Sequence, residues 1–253
     1  MTERRFVEHV MGMPITMVLR GAESALAEAA WRAVIDELRW VDEVFSTYRD
    51  DSWISRLGRG EVGVRDCPPE VDEVLSLGRT AYRASGAAFS VWLPDADGRS
   101  RFDPSGVVKG WAVERAAGHV GHPDFCLSAG GDMVCRTDDR PWRVGIEHPL
   151  DPARLVAVVP VRNGAVATSG TAHRGQHISD ARTGTVPEGL ASVTVVGPSL
   201  TWADIYATAA FAMGQSAVEW LRSRADHRSL VVWADGSTDL VEPGARHPAA
   251  SGF

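Results

Sequence analysis

The rhythm of apolar residues in this chain changes at one stretch, Phe102 to Ala117, which reads FDPSGVVKGWAVERAA. It starts extended, turns at Pro104-Ser105-Gly106 and runs on as a helix with Trp111, Ala112, Val113, Ala116 and Ala117 on its apolar face. Before it, apolar residues recur at helical spacing. After it, they come in short runs bounded by turn residues. Helices gathered in the first half and strands in the second favour an α+β arrangement over a regular βαβ alternation.

The clearest helix spans Glu23 to Phe45, where Leu26, Ala30, Ala33, Val34, Leu38, Val41, Val44 and Phe45 recur at three and four. Asp51-Ser52 caps a short helix through Ile54 and Leu57, and Pro68-Pro69-Glu70 opens another that runs to about Ser85. Phe6 to Leu19 is a strand-like run broken at Gly12 and Pro14. Gly86 to Pro94 is a loop or short strand, followed by an acidic turn, Asp95-Ala96-Asp97-Gly98. Further strands are expected at 125–127, 133–135, 142–146, 155–161, 165–168, 191–196 and 230–233, with helices over 202–213 and from Ser216 to about Ala225. We expect one domain over residues 1–240 and a frayed Pro/Ala/Gly-rich tail over 241–253.

The 253 residues carry a formal net charge of -7, which argues against nucleic acid or an anionic membrane surface as partner. No apolar stretch reaches the length of a signal-peptide core or a membrane span, so a cytoplasmic location is expected. Cys67, Cys126 and Cys135 form no CxxC and are read as free thiols; Cys126 and Cys135 could face each other across a turn.

Four stretches can carry chemistry. In the first, a turn bearing Gly106 opens a helix, and Lys109 sits in its first turn. Free amides, the helix dipole and an ammonium suit an anion such as phosphate, although an ordinary corner with a solvated lysine gives the same pattern. In the second, Asp204 and Thr208 lie four apart on a helix and share a face; a carboxylate and a hydroxyl are hard donors that suit Mg²⁺. Thr201-x-x-Asp204 equally fits a reciprocal capping box, and Thr208 a hydroxyl bonding back to its own helix. The third, Thr168 to Gly184, offers His173, His177 and Asp180, as a substrate loop with His177 as general base, a polar surface loop, or a zinc site. In the fourth, Gly130-Gly131 permits close approach of a ligand or simply turns a hairpin with Asp132 in solvent. Tyr48 either stacks on a flat ring or covers core.

Taken together these stretches resemble the FAD:protein FMN transferase (ApbE) family, in order, from about Met11 to Gly214. Met11-Gly12-Met13 looks like the family's Met-Gly-Thr. Phe45-Ser-Thr-Tyr48 and Ser52-Trp-Ile54 are similar to its flavin-side segment. Asp103, Gly106, Lys109 and Gly110 match Asp-x-x-Gly-x-x-Lys-Gly-Tyr-Ala. Gly130-Gly131-Asp132, Trp142 to Ile146, Ala167 to Gly170, His177-Ile178, Asp180, Thr183-Gly184 and Ala203-Asp204 through Thr208 follow. The resemblance implies an α+β, T-fold-related domain with FAD in a cleft. It implies Mg²⁺-dependent transfer of FMN from FAD to a Thr or Ser hydroxyl of an acceptor flavoprotein, with release of AMP. The rival readings are a metal-dependent FAD pyrophosphatase and a non-catalytic FAD-binding protein. By the same resemblance Gly106 (through its carbonyl), Asp204 and Thr208 would hold the metal, and Asp204 and His177 would serve catalysis. Met11, Tyr48, Ala88, Phe89, Ser90, Asp103, Lys109 and Ile178 would line the FAD site. A monomer or weak homodimer is expected. The chain departs from the family at Ser90, where an acidic residue is usual, and at Thr171-Ala172, where Asp-Tyr is common.

Overall fold

The computed structural model describes residues 2–94, 100–171 and 178–243. The strand-like run at the N-terminus is a hairpin: β1 (Glu3–Val10) and β2 (Met13–Arg20) are joined at Met11 and Gly12, whose φ angles are 55° and 71°. Two consecutive left-handed residues make the tight turn whose twist matches paired strands, which is why the run breaks there. Helices α1 (Ser24–Phe45), α2 (Trp53–Gly58) and α3 (Pro69–Ala84) follow, then the short strands β3 (Trp92–Pro94) and β4 (Ser100–Phe102) and helix α4 (Ser105–Ala117). The second half contributes β5 (Phe125–Ala129), β6 (Asp132–Arg136), β7 (Trp142–His148), β8 (Asp151–Val161), β9 (Gly164–Gly170) and β10 (Leu190–Gly197). Helix α5 (Leu200–Ala212), the short α6 (Ala217–Arg222), β11 (Arg228–Trp233) and β12 (Thr238–Val241) complete it.

Eight strands make one antiparallel sheet in the order β1-β2-β5-β6-β9-β10-β11-β12, and β7 pairs with β8 in a separate hairpin. The α+β class expected from the sequence is the one observed. Strand alternation divides the sheet's two faces. Ile15, Met17, Leu19, Leu127, Ala129, Val134, Ala167, Val193 and Val195 belong to the main core, which they share with α1, α3, α4 and α5. A smaller cluster of Cys135, Trp142, Val144, Val161 and Val166 gathers the β7–β8 hairpin against other sheet residues.

Helix α1 buries Ala27, Val34, Ile35, Leu38, Val41, Val44 and Phe45. Its stripe starts one residue later than the spacing suggested, and Leu26 is exposed. Helix α5 has no such stripe. Leu200, Ala203, Ile205, Ala207, Ala209, Ala210 and Phe211 are all buried, so it is covered all round its circumference. Its alanines let α4 approach closely, and Gly110 of α4 sits at the contact. A Cβ on Gly110 would lie 2.7 Å from Asp204 Cβ and 2.8 Å from the Leu200 carbonyl oxygen. No rotamer change relieves a clash with backbone.

Gly110→Ala is therefore expected to lower stability by about 1–3 kcal/mol, the usual cost of overpacking a core. Urea unfolding followed by tryptophan fluorescence reads this, and an unchanged midpoint would disprove the close α4–α5 approach.

Candidate functional site

The α4–α5 contact brings a carboxylate onto the second turn of α4. Asp204 Oδ2 accepts a hydrogen bond of 2.9 Å from the Gly110 backbone N–H, and Asp204 Oδ1 lies 3.3 Å from Lys109 Nζ. Gly106 lies one turn before Gly110 on the same helix. The Lys109 ammonium also lies 2.7 Å from Asp132 Oδ2. Asp132 begins β6 directly after the Gly130-Gly131 turn, is fully buried, and its Oδ1 accepts from the Thr168 N–H at 3.0 Å. One turn beyond Asp204, Thr208 Oγ1 shares a hydrogen bond of 3.0 Å with Ser169 Oγ on β9.

Asp204 is 2% exposed. Burial pushes its carboxyl up to about 7; the Asp132 charge adds to the rise, and Lys109 and the Gly110 amide oppose it. Two carboxylates thus share one ammonium, and the site carries a surplus of one negative charge when both are ionised. The oxygens placed here are the Asp204 carboxylate and the Thr208 and Ser169 hydroxyls, with the Gly106 backbone close to the Thr208 side chain. These are hard donors, a chemistry that fits Mg²⁺. No group of three or more His, Cys, Asp or Glu that could hold a metal occurs among the described residues.

The capping-box alternative for Asp204 fails. The N-cap of α5 is Ser199, whose side chain accepts from the Trp202 N–H. Thr201 instead donates from both N–H and Oγ1 to Glu114 Oε2, at 3.0 and 2.5 Å, and Ser199 Oγ donates to the same oxygen at 2.7 Å. One glutamate on α4 therefore pins the start of α5, and Asp204 is left to face α4. Asp132 is likewise no solvated turn residue. A signal that could have found it is the Lys109 ammonium next to an apolar helix face, which demands a buried counter-charge.

The remaining expected residues fall into three groups. Phe89, 4% exposed, lies against Gly106: a Cβ there would meet the Phe89 ring at 3.0 Å and Thr208 Cγ2 at 3.9 Å. Ala88 is buried, and its carbonyl accepts from the Ala181 N–H at 3.1 Å, which docks the 180–185 loop beside it. Ile178 is buried in the main core. Met11 packs on that core at the β1–β2 turn, and its neighbour Met13 touches the site of a Cβ on Gly130 through Sδ at 3.1 Å. Asp103 serves the turn into α4, accepting from the Ser105 N–H at 3.1 Å and pairing with Arg101 at 3.1 Å. Ser90 Oγ accepts from the Trp92 N–H at 2.9 Å.

Tyr48 stands apart. It is 97% exposed, so it covers no core. His177, His173 and Ala172 lie outside the described residues, as do the acidic turn at 95–98 and residues 244–253. Asp180, the third member of the zinc alternative, is held instead by Arg182, with Nη2 2.5 Å from Oδ2, which keeps its carboxyl below its ordinary value despite burial.

The model of the ApbE family matches residues 11–98 and 92–231. A protein named FAD:protein FMN transferase from Klebsiella pneumoniae is 31% identical over 128 residues, 44% of this chain and 37% of that protein. One of the same name from Salmonella typhimurium is 31% identical over 137 residues, 47% of this chain and 39% of its own length. The matched stretch thus spans under two fifths of these curated relatives. Solved structures align over far more. The flavin transferase ApbE of Vibrio cholerae superposes with a TM-score of 0.80 at 20% identity, covering 95% of this chain and 97% of its own. The ApbE protein of Thermotoga maritima gives 0.81 at 19%, with the same coverage.

A carboxyl that ionises less readily when folded makes stability fall as pH rises. For Asp204 the contribution is fully present below its unfolded value near 3.8 and is lost as pH climbs through about 7. In EDTA, the stability of the wild-type chain should therefore drop between about pH 4 and pH 7 relative to Asp204→Asn, by up to about 1.4 kcal/mol per pH unit, and level off above that. Parallel pH profiles for the two proteins in urea unfolding would refute the assignment.

Proposed function

Because the chain belongs to the ApbE family, we propose that it transfers FMN from FAD to a threonine or serine hydroxyl of an acceptor protein and releases AMP, with Mg²⁺ as cofactor. The observation that carries this reading is the buried Asp204–Lys109–Asp132 cluster beside the Thr208 and Ser169 hydroxyls. It combines a cation-seeking charge surplus with an ammonium that can turn to an anion.

Asp204, Thr208 and the Gly106 carbonyl would hold the Mg²⁺. When bound, the ion supplies charge neutralisation to a diphosphate. Every other task falls to the chain. Lys109, anchored by Asp132, presents its ammonium to phosphate oxygens. The first turn of α4 adds the positive end of its dipole. Phe89 and Ala88 form an apolar wall that excludes water next to Gly106 and Thr208. In the reaction the acceptor oxygen forms a bond to the phosphorus that carries riboflavin. The bond between that phosphorus and the bridging oxygen breaks, AMP leaves with the electron pair, and the hydroxyl proton passes to a base, the role we give His177.

Incubation of the chain with FAD, Mg²⁺ and a candidate flavoprotein should raise the acceptor's mass by one FMN, read by intact mass spectrometry. Free FMN and AMP without labelling would overturn transfer in favour of hydrolysis, and intact bound FAD would overturn catalysis altogether.

Asp204→Ala should lower transfer by at least about 100-fold, the scale of losing a preorganised charged group, while circular dichroism shows the fold retained. Activity that survives and still depends on Mg²⁺ would remove Asp204 from the metal site.

A further inference from the structure

Away from the α4–α5 cluster, the minor core of the sheet holds two thiols side by side. Cys126 of β5 and Cys135 of β6 are direct cross-strand partners in the antiparallel ladder, with Sγ atoms 3.5 Å apart. Both are free cysteines. Their surroundings differ. Cys135 is fully buried among Trp142, Val144, Val161 and Val166, whereas Cys126 is partly exposed at the margin of that cluster. Arg20 is on the strand beside them: Val18 pairs with Cys126, and two residues on, the Arg20 guanidinium lies 3.4 Å from the Trp142 ring. The pairing of an accessible thiol with a buried one is the arrangement of an attacking and a resolving cysteine.

We propose that Cys126 and Cys135 are a redox-active dithiol that hydrogen peroxide closes to an intramolecular disulfide, tying β5 to β6. The Cys135 S–H donated to Cys126 Sγ, together with the Arg20 charge, holds the Cys126 thiol below its ordinary value against the opposing effect of burial. The Cys126 thiolate attacks one peroxide oxygen, the O–O bond breaks, and hydroxide leaves to be protonated to water. The sulfenic acid formed is then attacked by the Cys135 sulfur. An S–S bond forms, the S–O bond breaks, and the Cys135 proton leaves with the oxygen as a second water. The two sulfurs lose two electrons and the peroxide gains them. The closure needs the sulfurs to move from 3.5 Å to about 2.0 Å, within reach of side-chain rotation on strands already in register.

Cys67 serves as an internal control. Its Sγ bonds the Gly63 carbonyl at 3.4 Å, and burial raises its thiol. The reduced full chain would be treated with hydrogen peroxide, denatured, alkylated with iodoacetamide and mapped by peptide mass. The expected result is a linked pair of peptides carrying Cys126 and Cys135, a 2 Da mass loss as two thiol hydrogens leave, and alkylation at Cys67 alone. In Cys135→Ser the reaction should stop at a Cys126 acid captured by dimedone. Three alkylated cysteines after peroxide treatment, consumption of Cys67 before the pair, or a disulfide joining two chains would each overturn the proposal. The wild-type measurement requires no variant to fold.

Discussion

A buried carboxylate held by a backbone amide of another helix is the constraint around which this molecule is arranged. Asp204 can accept from Gly110 only if the two helices come within van der Waals contact, and they do so because a glycine faces a helix of alanines. Glu114 fixes the longitudinal register by collecting three donors from the start of α5. With register and distance set, Lys109 has one place to go. It lies between Asp204 and Asp132, and the charge balance of the site follows from that geometry. A buried ion pair of this sort is poor evidence of stability, since desolvation takes back much of the Coulomb gain. Its retention in a helix interface that could have been filled with apolar side chains speaks for a role in binding.

Helices α1 and α3 announce themselves in the sequence because each buries a stripe at spacings of three and four, whereas α4 and α5 are buried on most sides. Asp204 and Thr208 could also be placed on one face, since helical geometry needs nothing beyond sequence separation. What spacing could not decide was the partner. Thr201 and Asp204 form a perfect capping pattern, and the structure breaks it because Glu114, 87 residues earlier, bonds Thr201 first. Asp132 was hidden for the same reason. A residue after two glycines looks like a hairpin tip until a lysine from another element reaches it. Tyr48 illustrates the converse, a residue next to the end of a buried helix that stands almost wholly in solvent.

Of the departures from the family pattern, Ser90 and Thr171 lie among the described residues. The Ser90 hydroxyl receives the Trp92 amide and so shapes the entry into β3, and the Thr171 amide donates to the Ala191 carbonyl beside the end of the β9–β10 ladder. The Ser90 side chain therefore serves backbone geometry, and among the described residues Asp132 and Asp204 are the carboxylates that face Lys109.

The hydrogen bond between Gly110 and Asp204 joins residues 94 apart in sequence. A chain emerging from the ribosome has made α4 and six further strands' worth of sheet-forming sequence before α5 exists. Until then, the wall that α5 supplies is missing, and Lys109 has Asp132 but no second carboxylate. The pair of carboxylates around Lys109 is thus assembled late, when only α6, β11 and β12 remain to be made, and its closure is a contact of long sequence separation of the kind that forms slowly.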